Sequence, residues 1–173
     1  MEAEVNSPDF TDILTLRLDE RSQQFFERMR QQHYPPALNQ IAAHLTLFHT
    51  LPESDDVRAA LTSAAACAPF SLKVTGLRSL GRGVAYTLAS VELNALHRTL
   101  AAAFADELSA QDRQKFQPHV VVQNKATGEQ AKYLKAALAA GFSTFWVEAV
   151  GLDLWRYLGG PWELREHFPF AAR

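Results

Sequence analysis

One cysteine, Cys67, stands in a chain of 173 residues, so no intramolecular disulfide can form and a reducing compartment is expected. Its place after Ala64-Ala65-Ala66 reads as a structural thiol rather than a nucleophile. No apolar run approaches the roughly 18–20 residues of a membrane span. The stretch Met1 to Asp12 is acidic and holds no apolar signal core, which makes the cytoplasm the expected location. Neither sign of charge is in excess, since 17 Lys and Arg against 19 Asp and Glu leave a net charge of −2. That balance argues against wrapping long nucleic acid through its phosphates, while a local basic patch could still hold a nucleotide or a short RNA end. No phosphate-cradling glycine loop is present, so ligation powered by ATP is not supported. Linkers and low-complexity segments are absent too. Residues 1–173 read as one domain, or two small lobes sharing a core, and a monomer is expected.

What the chain does contain is a repeated word. His44-Leu45-Thr46-Leu47 and His119-Val120-Val121-Val122 superpose without a gap when the sequence is shifted by 75 residues. The same shift lays Phe70 on Phe145, Gly76 on Gly151 and Leu77 on Leu152. Two histidines in matching places of two half-chains suggest a duplicated unit with a pseudo-two-fold axis and one shared cleft.

The secondary-structure pattern supports the duplication. Ile13 to Leu18 alternates apolar and polar residues as a half-buried strand does. Asp19 is placed to cap a helix to His33, which carries Phe25, Phe26 and Met29 inward and is stopped by Pro35-Pro36. Ile41 to Leu51 reads as the first histidine strand, followed by a helix capped by Ser54. Phe70 to Leu80 and Val84 to Leu88 form a strand pair around Gly81-Arg82-Gly83. Ser90 to Leu108 is a helix with Leu93, Leu96, Leu100, Phe104 and Leu108 at helical spacing. Gln117 to Asn124 is the second histidine strand. Thr127 and Gln130 form a capping box for a helix to Ala140. Phe145 to Leu158 and Trp162 to His167 close the chain around Gly159-Gly160-Pro161. The expected fold is α+β, with two pseudo-symmetric lobes, each a small mainly antiparallel sheet with outer helices, around a central cleft.

On a strand, His44 and Thr46 share one face, as do His119 and Val121. An imidazole and a hydroxyl so placed can both reach one phosphate. Imidazole titrates near pH 6.5, so a facing pair can hold one ring as base and the other as acid. Two rings in equivalent settings leave open which is which, and imply activity limbs at about pH 5 to 8. Two histidines without further ligands at usable spacing are a poor fit to a metal site, and no cofactor is implied.

The run His44-Leu45-Thr46-Leu47-Phe48-His49 with Pro118-His119-Val120-Val121-Val122 resembles the two motifs of the two-histidine phosphoesterase superfamily, in its 2′-5′ RNA ligase-like and cyclic nucleotide phosphodiesterase branches. The resemblance implies metal-independent acid–base catalysis by His44 and His119 on a 2′,3′-cyclic phosphate or 2′-5′-linked nucleotide or RNA end, with Thr46 on a phosphate oxygen. The second word departs from the pattern at Val121, and Asn124-Lys125 stands where ligase-like members place an arginine. A nucleotide-binding module weakened in turnover is therefore the alternative, and a plain scaffold a third reading. Further substrate contacts are expected from Val121, Lys125, Arg82, Arg156 and Tyr157, with Trp155 as a ring for stacking. His33, His97 and His167 read as structural, and strand alternation puts His49 on the face opposite His44.

Overall fold

The computed structural model describes residues 11–172, so most of the acidic N-terminal stretch lies outside the described residues. Strand β1 (Thr11–Leu18) leads into helix α1 (Glu20–His33), and strand β2 (Leu45–Pro52) into helix α2 (Asp55–Ala64). Strands β3 (Phe70–Ser79) and β4 (Val84–Ala89) form a hairpin whose turn needs Gly81 at φ +83°. Helix α3 (Val91–Ala103), strand β5 (His119–Gln123), helix α4 (Gly128–Ala140), and strands β6 (Phe145–Tyr157) and β7 (Trp162–Pro169) complete the chain. The helix starts follow the sequence signals. Ser54 and Ser90 accept from the backbone N–H groups of Val57 and Leu93, and Thr127 with Gln130 makes a full capping box. Asp19 occupies the N-cap of α1 but makes no capping bond, and its Oδ1 is buried without a partner.

All strand pairs are antiparallel, and one seven-stranded sheet runs β2-β1-β6-β3-β4-β5 with β7 added beside β6. The duplication is visible in this order, because each half donates its third strand to the other: β6 pairs β1, and β3 pairs β4. The register makes the symmetry explicit. At the centre Leu72 faces Val147, two residues themselves 75 apart, flanked by Phe70 against Ala149 and Val74 against Phe145. The pseudo-two-fold axis therefore passes between Leu72 and Val147. Outward from it, Thr15 against Asp153 and Leu16 against Leu152 match Ala85 against Arg78 and Tyr86 against Leu77.

Even the irregularities repeat. Val150 is the extra residue where β6 meets β1, and Thr75, 75 positions earlier, is the extra residue where β3 meets β4. Leu47 and Val122 are likewise extra where the histidine strands meet β1 and β4. A bulge inserts one residue and reverses the inside–outside phase beyond it. Hence Leu47 and Phe48 are both buried. The matched glycines Gly76 and Gly151 each follow such a bulge. Only Gly151 is sterically required, since an added Cβ would stand 2.7 Å from the His167 ring and 2.8 Å from the Phe168 carbonyl of β7.

A continuous core joins the halves, with Leu14, Leu16, Phe26, Leu45, Phe48, Leu72, Leu93 and Val122 among its buried members. Each such large side chain contributes about 1.5–3 kcal/mol of burial, and Phe25, Phe26, Tyr86 and Phe145 add edge-to-face contacts. Two boundaries differ from the sequence reading by four residues or more. Strand β2 begins at Leu45 because Ala43 is held by side chains of α1 instead: its N–H donates to Glu27 Oε2 and its carbonyl accepts from Gln23. Helix α3 stops at Ala103, and Arg113 caps the freed chain by donating to the carbonyls of Ala105 and Leu108. Among the described residues no helix is long and apolar enough to cross a membrane.

Candidate functional site

His44 lies just before β2 and His119 opens β5, the two outermost strands of the main path, which approach each other across the cleft. Each ring is tethered in the same way. His44 Nδ1 lies 2.9 Å from the Ala42 carbonyl, and His119 Nδ1 lies 2.7 Å from the Gln117 carbonyl. A carbonyl only accepts, so Nδ1 carries the hydrogen in both rings and Nε2 is the nitrogen left for chemistry. The matched tether, two residues upstream in each half, is the local expression of the repeat.

Thr46, His49, Arg78, Asp112, Gln117 and His119 line a cavity of about 240 Å³ between the histidine strands. His97 closes its inner wall as a structural ring, stacked on Phe116 at 3.9 Å and on Phe48 at 4.6 Å. A second cavity of about 630 Å³ includes His44 and is lined by Arg17, Asp19, Gln40, Asp153 and Trp155. It is closed by Trp162, whose ring lies 4.6 Å from that of His44. Trp162 comes from β7, which has no counterpart in the other half. The site is therefore symmetric in backbone and asymmetric in cover.

That asymmetry sets the electrostatics. Burial drives the His44 imidazole down to about 4, the Ala42 carbonyl opposing it and the charges of Arg30, His119 and His49 adding to it. His119 is also lowered by burial, against its Gln117 bond and helped by Arg78 and His49. His44 is the ring that resists a proton most. Arg30, on α1, reaches between the two words: its Nε donates to Asn39 at 2.7 Å, its Nη1 lies 3.4 Å from the Val121 carbonyl, and its guanidinium stacks 4.1 Å over Tyr34.

The remaining expected residues divide. Val121 is half-buried on β5, the register twin of Thr46. Arg82 and Lys125 sit together at another opening, a cavity of about 800 Å³, where Arg82 Nε is already bonded to the Ala126 carbonyl. They do not join the histidine cleft. Tyr157 is exposed at the end of β6 and lines none of the three cavities. Arg156 is committed elsewhere: it pairs with the buried carboxylate of Asp12 and with Glu53, which also engages Arg58 and Arg165. Replacing Arg156 with alanine should strand the Asp12 carboxylate and cost about 3 kcal/mol of stability in denaturant melts, with turnover per folded molecule unchanged. Loss of turnover without loss of stability would return Arg156 to the site.

His49 is a correction. Strand alternation counted without the Leu47 bulge put it away from the cleft, whereas the bulge turns it onto the same side as Thr46. Arg78, Asp112 and Trp162 were also missed. Each reaches the site by a long-range contact that no local pattern announces. Among the described residues, no three His, Cys, Asp or Glu side chains are grouped so as to hold a metal ion.

Comparison with known proteins agrees with this architecture. The fold is that of TT0787 of Thermus thermophilus, at TM-score 0.65 and 17% identity over 94% of this chain and 99% of that one. It is also that of Escherichia coli LigT complexed with 3′-AMP, at TM-score 0.58 and 17% identity over 93% and 98%. A structure described as a phosphoesterase matches at TM-score 0.59 and 16% identity over 94% and 99%. Comparison with curated proteins gives no match. The model of the 2′-5′ RNA ligase superfamily matches residues 18–161, which span both histidine words and all but the first and last strands. The chain belongs to the 2′-5′ RNA ligase superfamily.

Proposed function

We propose that this protein is a phosphoesterase that needs no metal and hydrolyses, or reversibly joins, 2′,3′-cyclic phosphate or 2′-5′-linked nucleotide or RNA ends. The observation that carries the reading is the pair of identically tethered imidazoles, each with Nε2 left free, His44 on the cavity of about 630 Å³ and His119 on that of about 240 Å³. Their unequal surroundings support one division of the roles. His44, which resists protonation, is the base, and His119 is the acid. In hydrolysis of a cyclic phosphate, His44 Nε2 takes a proton from water as its oxygen bonds to phosphorus. The bond from phosphorus to one ribose oxygen breaks, and His119 Nε2 gives that oxygen its proton. The product is a ribose monophosphate with one free hydroxyl. Thr46 donates to a non-bridging oxygen. The nucleoside lies in the cavity of about 630 Å³ against Trp155 and Trp162, rings suited to stacking on a base. Escherichia coli LigT complexed with 3′-AMP supports this class of ligand for the fold.

The reading is tested by incubating the protein with a 2′,3′-cyclic mononucleotide and with a 2′-5′-linked dinucleotide and following phosphorus resonances. Conversion of either to a monophosphate ester supports it, and inertness toward both sinks it. Val121 favours a second reading, a binding module with weakened turnover, because it lacks the hydroxyl of its twin Thr46. Val121→Thr separates the two. A donor added on the symmetric position should raise turnover, one hydrogen bond to a charged oxygen contributing about 1.5–3 kcal/mol. Unchanged turnover with unchanged stability means that β5 does not touch phosphate through that position.

A further inference from the structure

The cleft holds a third imidazole that the paired mechanism leaves unused. His49 and Asp112 come from distant parts of the chain, β2 and the segment after α3, yet they are bonded twice over. His49 Nδ1 and its backbone N–H each lie 2.9 Å from Asp112 Oδ1, and the N–H of Thr50 reaches Oδ2 at 3.0 Å. Asp112 is a built element and no surface accident. Its side chain is 2% exposed, and its carboxyl is held below the usual range: burial pushes it up, but the His49 ring and the backbone N–H groups of His49 and Thr50 outweigh that. A buried carboxylate on Nδ1 fixes the ring's orientation and leaves Nε2 as its outward nitrogen. The ring remains 43% exposed on the same cavity as Thr46, Arg78 and His119. With His119 it lines one cavity, and its charge bears on both of the other two site histidines. A ring placed only to fill the fold would not be anchored by a buried acid and then turned toward solvent at the centre of a cleft.

We propose that His49, oriented by Asp112, is a third histidine of the site and hydrogen-bonds the reacting phosphate through Nε2. In that role the ring donates Nδ1–H to Asp112 and Nε2–H to a non-bridging phosphate oxygen. That supplies the donor which Val121 cannot, and leaves the proton transfers to His44 and His119. Besides Asp112, the charged and titratable groups lining its cavity are Arg78, His97, Lys115 and His119, so phosphate enters a cleft rich in cations and donors. The assignment rests on the phosphoesterase reading above, and the experiment keeps the two apart.

The full chain is titrated with inorganic phosphate at pH 6.5 while the histidine ring resonances are followed, that of His49 being identified by its loss in His49→Ala. Phosphate should shift the His49 resonance in the unmodified protein. His49→Ala should bind phosphate about tenfold more weakly and turn over a 2′,3′-cyclic mononucleotide at least about tenfold more slowly, with its melting temperature little changed. His49→Gln, which keeps a neutral N–H donor on a similar reach, should recover part of the phosphate affinity. Asp112→Asn should retain binding but broaden the His49 resonance as the ring loses its anchor. A His49 resonance indifferent to phosphate, or an alanine variant that binds phosphate normally while melting earlier, would make the pair a structural tie and overturn the assignment. Failure of the unmodified protein to turn over any cyclic phosphate would count against the proposed function alone, because the phosphate titration does not depend on turnover.

Discussion

His44→Ala and His119→Ala should each lower turnover of a 2′,3′-cyclic mononucleotide by about a hundredfold or more, the usual cost of a positioned acid or base. The double variant should be little worse than the poorer single one, because the two rings act as one proton-transfer unit. Thermal melting should hardly move for either. Neither residue belongs to the packed core, and each ring makes one side-chain bond, to a carbonyl two residues upstream. Steady-state kinetics beside melting curves check this. An alanine variant with near-normal turnover would remove that ring from the mechanism. A substantial drop in melting temperature would instead mean that the ring holds the cleft together.

The second large effect is a pH profile displaced toward acid. As base, His44 must be neutral, so activity is lost as pH falls through its lowered value of about 4. As acid, His119 must be protonated, so activity is lost as pH rises through a value held below the ordinary 6.5 by burial. The bell in kcat/KM, which reports the free protein, should therefore peak on the acid side of pH 6.5 and already be falling at pH 7. Trp162→Ala opens His44 to water, and should move the acid limb upward, toward neutral pH. Reversed roles would keep the same two limbs and lower the maximum. A base at His119 and an acid at His44 would leave both groups in the wrong protonation state over the interval between their two values, and activity would be low throughout. Two equivalent rings would instead place limbs at about pH 5 to 8.

The difference between those profiles shows what the sequence could and could not convey. The 75-residue repeat was legible because symmetry-related strands need the same words. His44 and His119, the bulge glycines Gly76 and Gly151, and the central pair Leu72 and Val147 all obey one register. Helix starts at Ser54, Ser90 and Thr127 were legible because capping is local chemistry. The bulge at Leu47 was hidden, since a run of apolar residues reads as plain alternation whether or not one of them is extra, and His49 was misplaced with it. Asp112 was hidden as well, in a segment whose Leu108 continues the helical spacing although Arg113 folds the chain back. Trp162 illustrates the third kind of gap. Its aromatic ring was visible, but that β7 would lay it on His44, and so make two matched histidines unequal, depends on a strand with no twin.

The central claim is phosphoester turnover by a pair of imidazoles. The most direct measurement is the rate of hydrolysis of a 2′,3′-cyclic mononucleotide by the purified protein, before and after exhaustive treatment with chelator, with His119→Ala in parallel. The rate should be the same in both conditions and collapse in the variant. A rate abolished by chelator and restored by added divalent metal, or one that His119→Ala leaves intact, would contradict it.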